Sequence, residues 1–318
     1  MSISRRGFLI TSVKLAGLSI LPPAILNSCM FTGQKPDIPI DYIGTTEEFE
    51  FYQHYFNKTK GTRFNPSTLE TSLSNESGIV FLDSYLATKS ACMIMLMEQG
   101  KDILTSYPMG SNLGEYVNVL EFMDNYGKVV GLLNPLAFYP AIITLKNILE
   151  QESIALAKVH INAHPRNLGA DFKIRGFSGT AQPFQRIVSY LADAYPMSLV
   201  ANADNKGTIA RILIDYESFE THIHFDNNNL GWDMELSSSG FSAMTDHTGL
   251  LVVRNEVEPR ITADPDVMRY AIKANLQDFL QAVRERSEPR VNHIDGLASI
   301  VINKATEESL RTGTPVNL

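Results

Sequence analysis

The sequence predicts an α/β chain of two domains, in which a parallel sheet with crossover helices precedes an α+β domain with an open mixed sheet. The first domain is indicated by the stretch 80–108, where apolar runs at 78–82 and 102–105 flank a pattern with helical spacing. Strand, helix and strand joined by short connections form a parallel crossover. The second domain is indicated by residues 154–260, which contain several short strand patterns and one helix from about 182 to 192.

The N-terminus has the features of an export signal. A twin-arginine pattern at 4–9 precedes a moderately apolar segment at 13–26, and Leu-Asn-Ser then leads into Cys29 as in a lipobox. We expect export by the twin-arginine pathway and a periplasmic or cell-envelope lipoprotein attached to the membrane only through lipidated Cys29. The alternative is that the leader is simply cleaved. Residues 1–28 are therefore interpreted as a signal and 29–39 as a tether.

The charge balance argues against nucleic acid as a partner. The formal net charge is −8, and it becomes −11 without the leader, which contains three basic residues and no acid. An acidic surface repels phosphate backbones. Apart from Cys29 the chain has only Cys92, so no intramolecular disulfide is expected.

The segment after the first predicted strand, 40–44, decides whether a dinucleotide is bound. A dinucleotide site needs Gly-x-Gly-x-x-Gly here, so that the backbone can approach the pyrophosphate at a helix N-terminus. This chain has only the first glycine, Gly44, and the next five residues are Thr-Thr-Glu-Glu-Phe. Two carboxylates in the first helical turn favour the helix dipole but repel a phosphate. Thr45 or Thr46 is expected to cap a helix that runs through Tyr55.

The rest of this domain, 40–134, resembles an abbreviated Rossmann-like unit. Only Thr62 to Phe64 can form the second strand, and Asn65 stands where an acid would bind the adenosine ribose. Gly44, Thr45, Thr46 and Asp83 are therefore predicted to be vestigial cofactor-binding positions.

Further elements follow in regular order after Pro108. Helices are predicted at 113–126, from the Asn134–Ala141 turn through Leu149, at 270–284 and at 295–311. Predicted strands are 128–133, 155–163, 197–203, 208–215, 221–225, 232–237 and 249–255. The second domain is assigned to 135–318.

Three short motifs in this order resemble the glucose–fructose oxidoreductase / inositol dehydrogenase (Gfo/Idh/MocA) family. Ser106-Tyr107-Pro108 lies where that family has Glu-Lys-Pro, the Asn134–Ala141 turn resembles its Arg-Phe-x-Pro turn, and Gly313–Val316 resembles its Thr-Gly-x-Pro-Val ending. The resemblance covers roughly residues 38–318. It implies a two-domain scaffold for NAD(P)-dependent sugar oxidoreductases.

The same resemblance shows which catalytic groups differ. Tyr107 occupies the position of the family's catalytic lysine, and Phe184 and Thr180 occupy those of the relay histidine and its aspartate. A tyrosine with an ordinary pKa near 10 is a poor base unless a cation lies close by. No residue is therefore predicted to be catalytic.

Candidate ligand contacts are polar or aromatic residues near the strand ends that border the cleft. The predicted substrate-binding residues are Tyr107, Asn134, Tyr139, His160, His164, Arg166 and Gln185. His222 and His224 share one strand face, but no third metal ligand can be assigned, so no metal is predicted.

Two classes of function remain open. The first is a family member that has lost dehydrogenase activity, has no cofactor, and serves as a carbohydrate-binding or partner subunit. The resemblance implies that it forms a homo-oligomer or a complex with an intact homologue. The alternative is an active NAD(P)-dependent sugar oxidoreductase, or a lyase or hydrolase acting on oxidised sugars.

Overall fold

The structure is a computed structural model. It describes residues 37–56, 59, 61–83, 88–110, 112–163, 178–203, 209–225, 232–246, 249–253, 261–262 and 267–318. The export signal with Cys29, and the candidate residues His164 and Arg166, lie outside these ranges.

The N-terminal domain contains a five-stranded parallel sheet in the order β2-β1-β3-β4-β5. Its strands are β1 (Ile38–Ile43), β2 (Thr62–Pro66), β3 (Ile79–Leu82), β4 (Asp102–Thr105) and β5 (Val130–Leu132). Its helices are α1 (Thr46–Phe56), α2 (Leu69–Ser74), α3 (Lys89–Glu98) and α4 (Leu113–Tyr126). The predicted fold class is confirmed. The second crossover holds only the short α2, in agreement with an abbreviated domain.

Burial on both faces explains why apolar and polar residues do not alternate along the central strands. Every residue of β3 and β4 is buried, as expected for strands covered by helices on either side. Gly100 follows α3 with φ of 79°, a conformation that glycine adopts without strain. The chain therefore turns directly from α3 into β4, as the sequence predicts.

The C-terminal domain contains a nine-stranded sheet in the order β13-β12-β11-β10-β6-β9-β8-β7-β14. The strands are β6 (Lys158–Ala163), β7 (Pro196–Ala203), β8 (Ile209–Tyr216), β9 (Glu220–Phe225), β10 (Trp232–Ser238), β11 (Phe241–Asp246), β12 (Gly249–Val253), β13 (Ile261–Thr262) and β14 (Val316–Asn317). β6 and β9 are parallel and the other pairs are antiparallel, so the sheet is mixed. The sequence reading missed β11, β13 and β14.

The remaining helices follow the parallel sheet along the chain, and the last two pack against it. A 3-10 turn (Pro135–Phe138) leads into α5 (Pro140–Gln151), and then come α6 (Ser178–Ala192), α7 (Val267–Glu285) and α8 (His293–Thr312). α7 packs on the N-terminal sheet through Phe279, whose ring lies so close to Gly131 that a Cβ there would meet it at 2.7 Å. Gly296 similarly lets α8 approach Met109. None of the described helices has the length and apolar character needed to cross a membrane.

Candidate functional site

The carboxyl ends of the parallel strands form the candidate site. The chain crosses from β1 to β2 in one direction and from β3 through β5 in the other, which makes the β1/β3 boundary the switch point where ligands of such sheets bind. Gly44 follows β1, Asp83 follows β3, Tyr107 lies just after β4, and Asn134 lies just after β5. The predicted residues of this domain therefore lie along one edge.

The loop after β1 is closed by its own side chains. The Glu48 carboxylate accepts hydrogen bonds from the Thr45 amide (3.3 Å) and the Thr45 hydroxyl (2.8 Å). In return, the Glu48 amide donates to the Thr45 hydroxyl at 3.2 Å. This is a capping box at the start of α1. The Thr45 backbone amide, which could have donated to a phosphate, therefore already donates to the Glu48 carboxylate.

Gly44 is explained by packing against Tyr42 rather than by a ligand. A Cβ at Gly44 would lie 2.3 Å from the Tyr42 hydroxyl oxygen. Tyr42 is buried, and its ring packs against Phe49 and Phe64 at centroid distances of 5.6 and 5.3 Å. An aromatic cluster therefore fills the space below the loop. The residues present do not fit a dinucleotide pyrophosphate.

We predict that neither NAD nor NADP binds more tightly than about millimolar, because a phosphate would have to displace Glu48 from Thr45 and lie beside a carboxylate. Calorimetric titration of the purified protein measures this directly. Micromolar affinity for either nucleotide would contradict the prediction and favour the dehydrogenase alternative.

Asp83 is part of a buried polar cluster. Its Oδ2 accepts a hydrogen bond from the Tyr42 hydroxyl at 3.1 Å. Burial, followed by the nearby Glu48 carboxylate, raises the pKa of Asp83 to about 6, although Lys89, Ser106 and Tyr42 act in the opposite direction. The buried Lys89 ammonium donates to the Ser106 carbonyl (2.6 Å) and hydroxyl (3.0 Å). Asp83 is thus held by the protein's own side chains.

Tyr107 and Asn134 present buried polar atoms that lack partners. Their exposed fractions are 4% and 2%. The Tyr107 hydroxyl and the Asn134 amide face each other closely enough for Asn134 to lower the pKa of the phenol, but neither the hydroxyl nor the amide oxygen and nitrogen completes a hydrogen bond of standard geometry within the described residues. The Asn134 backbone amide, by contrast, donates to Asn275 Oδ1 at 2.7 Å. Such buried atoms are uncommon, because leaving one unpaired costs about 1–3 kcal/mol.

Tyr107 remains a neutral phenol at physiological pH. Burial, and next the Asp295 carboxylate, raise the pKa of Tyr107 well above its usual value. The charge of Arg186 and the hydrogen-bonding contact of the facing Asn134 side chain both lower the pKa, but burial outweighs them. A cation is therefore close to Tyr107, yet the hydroxyl is suited to hydrogen bonding and not to acting as a base.

The sequence reading missed an ion pair beside Tyr107. Arg186 Nε on α6 contacts Asp295 Oδ1 in the first turn of α8. The contact lacks hydrogen-bond geometry, and Nε has no hydrogen-bond partner in the described part of the chain. Asp295 is fixed by a second bond, since its Oδ2 accepts from the Asn292 amide at 3.0 Å. The only sequence signal was the Asn-x-x-Asp capping pattern at 292–295.

Three other residues singled out in the sequence, Phe184, Gln185 and Tyr139, contact protein groups other than the Tyr107 hydroxyl. Phe184 is fully buried against Trp232, with ring centroids 6.2 Å apart, and cannot relay a proton. Gln185 donates to the Ser189 hydroxyl at 2.8 Å. Tyr139 packs edge-on against Trp232, and burial, followed by the Asp246 carboxylate, raises its pKa. The structure does not bring Gln185 or Tyr139 to the Tyr107 hydroxyl.

His160 lies on the opposite face of the large sheet, which corrects the expectation that it faces the cleft. Ala163 pairs with Trp232, which packs against α6, whereas His160 pairs with Glu235 on the other face. The ring of His160 lies 4.7 Å from that of His222 on this outer face. The described residues contain no cluster of three or more His, Cys, Asp or Glu that could hold a metal.

No protein-family model matches the chain, and no curated protein sequence matches it.

Solved structures, in contrast, are clearly similar. Myo-inositol 2-dehydrogenase from Lactobacillus plantarum has a TM-score of 0.74 at 13% identity, covering 89% of this chain and 100% of that one. An oxidoreductase from Agrobacterium radiobacter, in complex with NAD+, L-tartaric acid and magnesium, has 0.72 at 13%, covering 88% and 98%. An oxidoreductase domain protein from Kribbella flavida has 0.72 at 13%, covering 96% and 94%. The neighbours are Gfo/Idh/MocA-type oxidoreductases, so the resemblance is confirmed at the level of the fold.

Proposed function

We propose that this chain, which has the two-domain fold of the Gfo/Idh/MocA-type oxidoreductases, binds a carbohydrate and does not transfer hydride. The observation that carries the proposal is the pair of buried, unpartnered polar side chains, Tyr107 and Asn134, at the carboxyl edge of the parallel sheet. The self-bonded Thr45–Glu48 loop supports the loss of hydride transfer.

A sugar has the chemistry that these side chains lack. Each sugar hydroxyl can both donate and accept, as can a phenol, and the Asn134 amide offers one acceptor and two donors. A ligand that completes these bonds would offset the cost of burying them unpaired. An aromatic ring beside them adds an apolar surface for a sugar face.

Titration with a panel of monosaccharides and oligosaccharides tests the proposal. We expect saturable binding of at least one sugar and no reduction of added NAD or NADP in its presence. Failure of every sugar to bind would contradict a carbohydrate-binding role, and turnover with a nucleotide would contradict the loss of hydride transfer.

A dehydrogenase remains the second candidate. It is favoured by the fold neighbours, one of which was solved with NAD+. In this chain, dehydrogenase activity would require that a bound nucleotide break the Thr45–Glu48 hydrogen bonds. The titration predicted above distinguishes the two candidates, because a working dehydrogenase must bind the nucleotide.

Export and anchoring form a further part of the proposal. The twin-arginine pattern and Cys29 support a periplasmic or cell-envelope lipoprotein. Labelling with a radioactive fatty acid in a bacterial host tests it. We expect incorporation into the wild type and none into Cys29→Ala, whereas an unlabelled wild type would favour a leader that is simply cleaved.

We predict a homo-oligomer, or a complex with an intact homologue, formed through the outer face of the nine-stranded sheet. The outward residues of β6 and β9 are polar, namely Lys158, His160, Asn162, Glu220, His222 and His224. Such an interface would be held mainly by hydrogen bonds and paired charges. Light scattering of the purified chain over a hundredfold concentration range checks this, and one constant monomer mass would exclude the homo-oligomer.

A further inference from the structure

The Arg186–Asp295 ion pair forms a charged boundary to the Tyr107–Asn134 polar atoms. The side chains of Arg186 and Asp295 are 25% and 7% exposed. Both charges act on the Tyr107 hydroxyl, Asp295 raising its pKa and Arg186 lowering it. The backbone agrees, because Gly296, next to Asp295, packs against Met109 and Leu132, which lie two residues from Tyr107 and Asn134. The pair therefore borders the proposed ligand site.

The two charges that act on the Tyr107 hydroxyl, those of Arg186 and Asp295, balance one another. Tyr107 is neutral, Asn134 is an amide, and the guanidinium of Arg186 already faces a buried carboxylate. A carboxylate ligand that took Arg186 would leave Asp295 buried without its partner, and an unpaired buried charge is strongly unfavourable. A cationic ligand that paired with Asp295 would likewise leave the Arg186 guanidinium without its partner. An uncharged, hydroxyl-rich ligand disturbs neither partner.

We propose that the Arg186–Asp295 pair makes the site selective for uncharged sugars and polyols over the carboxylate forms of the same sugars. This inference rests on the proposed carbohydrate-binding function. Asp295 determines specificity because its carboxylate pairs with the Arg186 guanidinium and so keeps it from a ligand carboxylate. The Tyr107 and Asn134 side chains bind the sugar hydroxyls.

Matched sugars that differ only at the terminal carbon test the selectivity. The probes are glucose and glucuronate, galactose and galacturonate, and mannose and mannuronate, titrated calorimetrically at pH 8. We expect the wild type to bind at least one neutral sugar tenfold or more tightly than its uronate. In Asp295→Asn the free Arg186 should strengthen uronate binding at least tenfold, so that the preference narrows or reverses. Asparagine at 295 retains an oxygen that can accept the Asn292 amide.

Asp193→Asn is the control, because it makes the same substitution in the Lys146–Asp193 pair, whose atoms are 2.5 Å apart just beyond the C-terminal end of α6. It should leave the ratio of neutral to uronate binding unchanged. The wild-type ratio alone decides the question if Asp295→Asn fails to fold.

The outcomes separate this inference from the function on which it rests. Stronger binding of a uronate by the wild type, or an unchanged ratio in folded Asp295→Asn, would overturn charge selection and leave carbohydrate binding intact. Absence of binding to every probe would overturn both.

Discussion

Replacing Tyr107 with phenylalanine is expected to stabilise the fold by about 1 kcal/mol and to weaken sugar binding ten- to a hundredfold. The hydroxyl is buried and has no hydrogen-bond partner among the residues described, so its removal relieves a desolvation cost while the ring stays in place. In the complex the same hydroxyl would be paired, and its loss would leave a sugar hydroxyl without a partner. Denaturant unfolding and calorimetric titration of the two proteins measure the opposed effects.

Tyr216→Phe is the matched control, since Tyr216 is a buried tyrosine on β8 whose ring stacks on Phe219. It should leave sugar affinity unchanged. Equal losses of affinity in the two variants, or full affinity in Tyr107→Phe, would exclude Tyr107 as a ligand contact. Tyr107→Ala is less informative, because truncating a buried aromatic residue costs about 3–5 kcal/mol of stability by itself.

The N-terminal fold could be predicted because its central strands are local patterns. The apolar runs at 78–82 and 102–105 are too short for helices and are separated by one helix, so a parallel crossover is the arrangement that buries them. β11 was missed because Phe241–Asp246 contains only two strongly apolar residues. The strand forms because it pairs with β10 in a hairpin, whose turn contains Gly240 at φ of 72°.

The site was predictable only where one strand end or one helix turn determines it. The carboxylates in the first turn of α1 could be read from the sequence, and Glu48 there accepts a hydrogen bond from Thr45 three residues away. Arg186 and Asp295 come together only through the packing of α6 against α8, so no local pattern connects them. The face of His160 could have been read from the sequence, because Val159, Ile161 and Ala163 are the apolar set that must face the core.

Protonation of Asp83 is expected to make the fold more stable at pH 4 than at pH 6.5. Burial and the nearby Glu48 raise the pKa of Asp83 from 3.8 to about 6 in the folded state. Below the lower value both folded and unfolded chains hold the proton, and the full stability is present. As the pH rises towards 6 the unfolded chain releases its proton while the folded chain retains it, so stability falls. Over the whole transition, from well below pH 3.8 to well above pH 6, the loss should amount to about 3 kcal/mol.

Asp83→Asn isolates this contribution from that of the other carboxylates. The amide stays uncharged at every pH and can still accept the Tyr42 hydrogen bond. The free energy of unfolding of Asp83→Asn, relative to wild type, should therefore increase by about 2 kcal/mol between pH 4 and pH 6.5. Glu308→Gln is the control with the opposite sign, because the Arg311 guanidinium lowers the pKa of the exposed Glu308 carboxyl. Urea unfolding at half-unit pH steps gives all three curves. A constant difference between Asp83→Asn and wild type would show that folding leaves the pKa of Asp83 unshifted, so that Lys89 and the hydrogen bonds cancel the effect of burial.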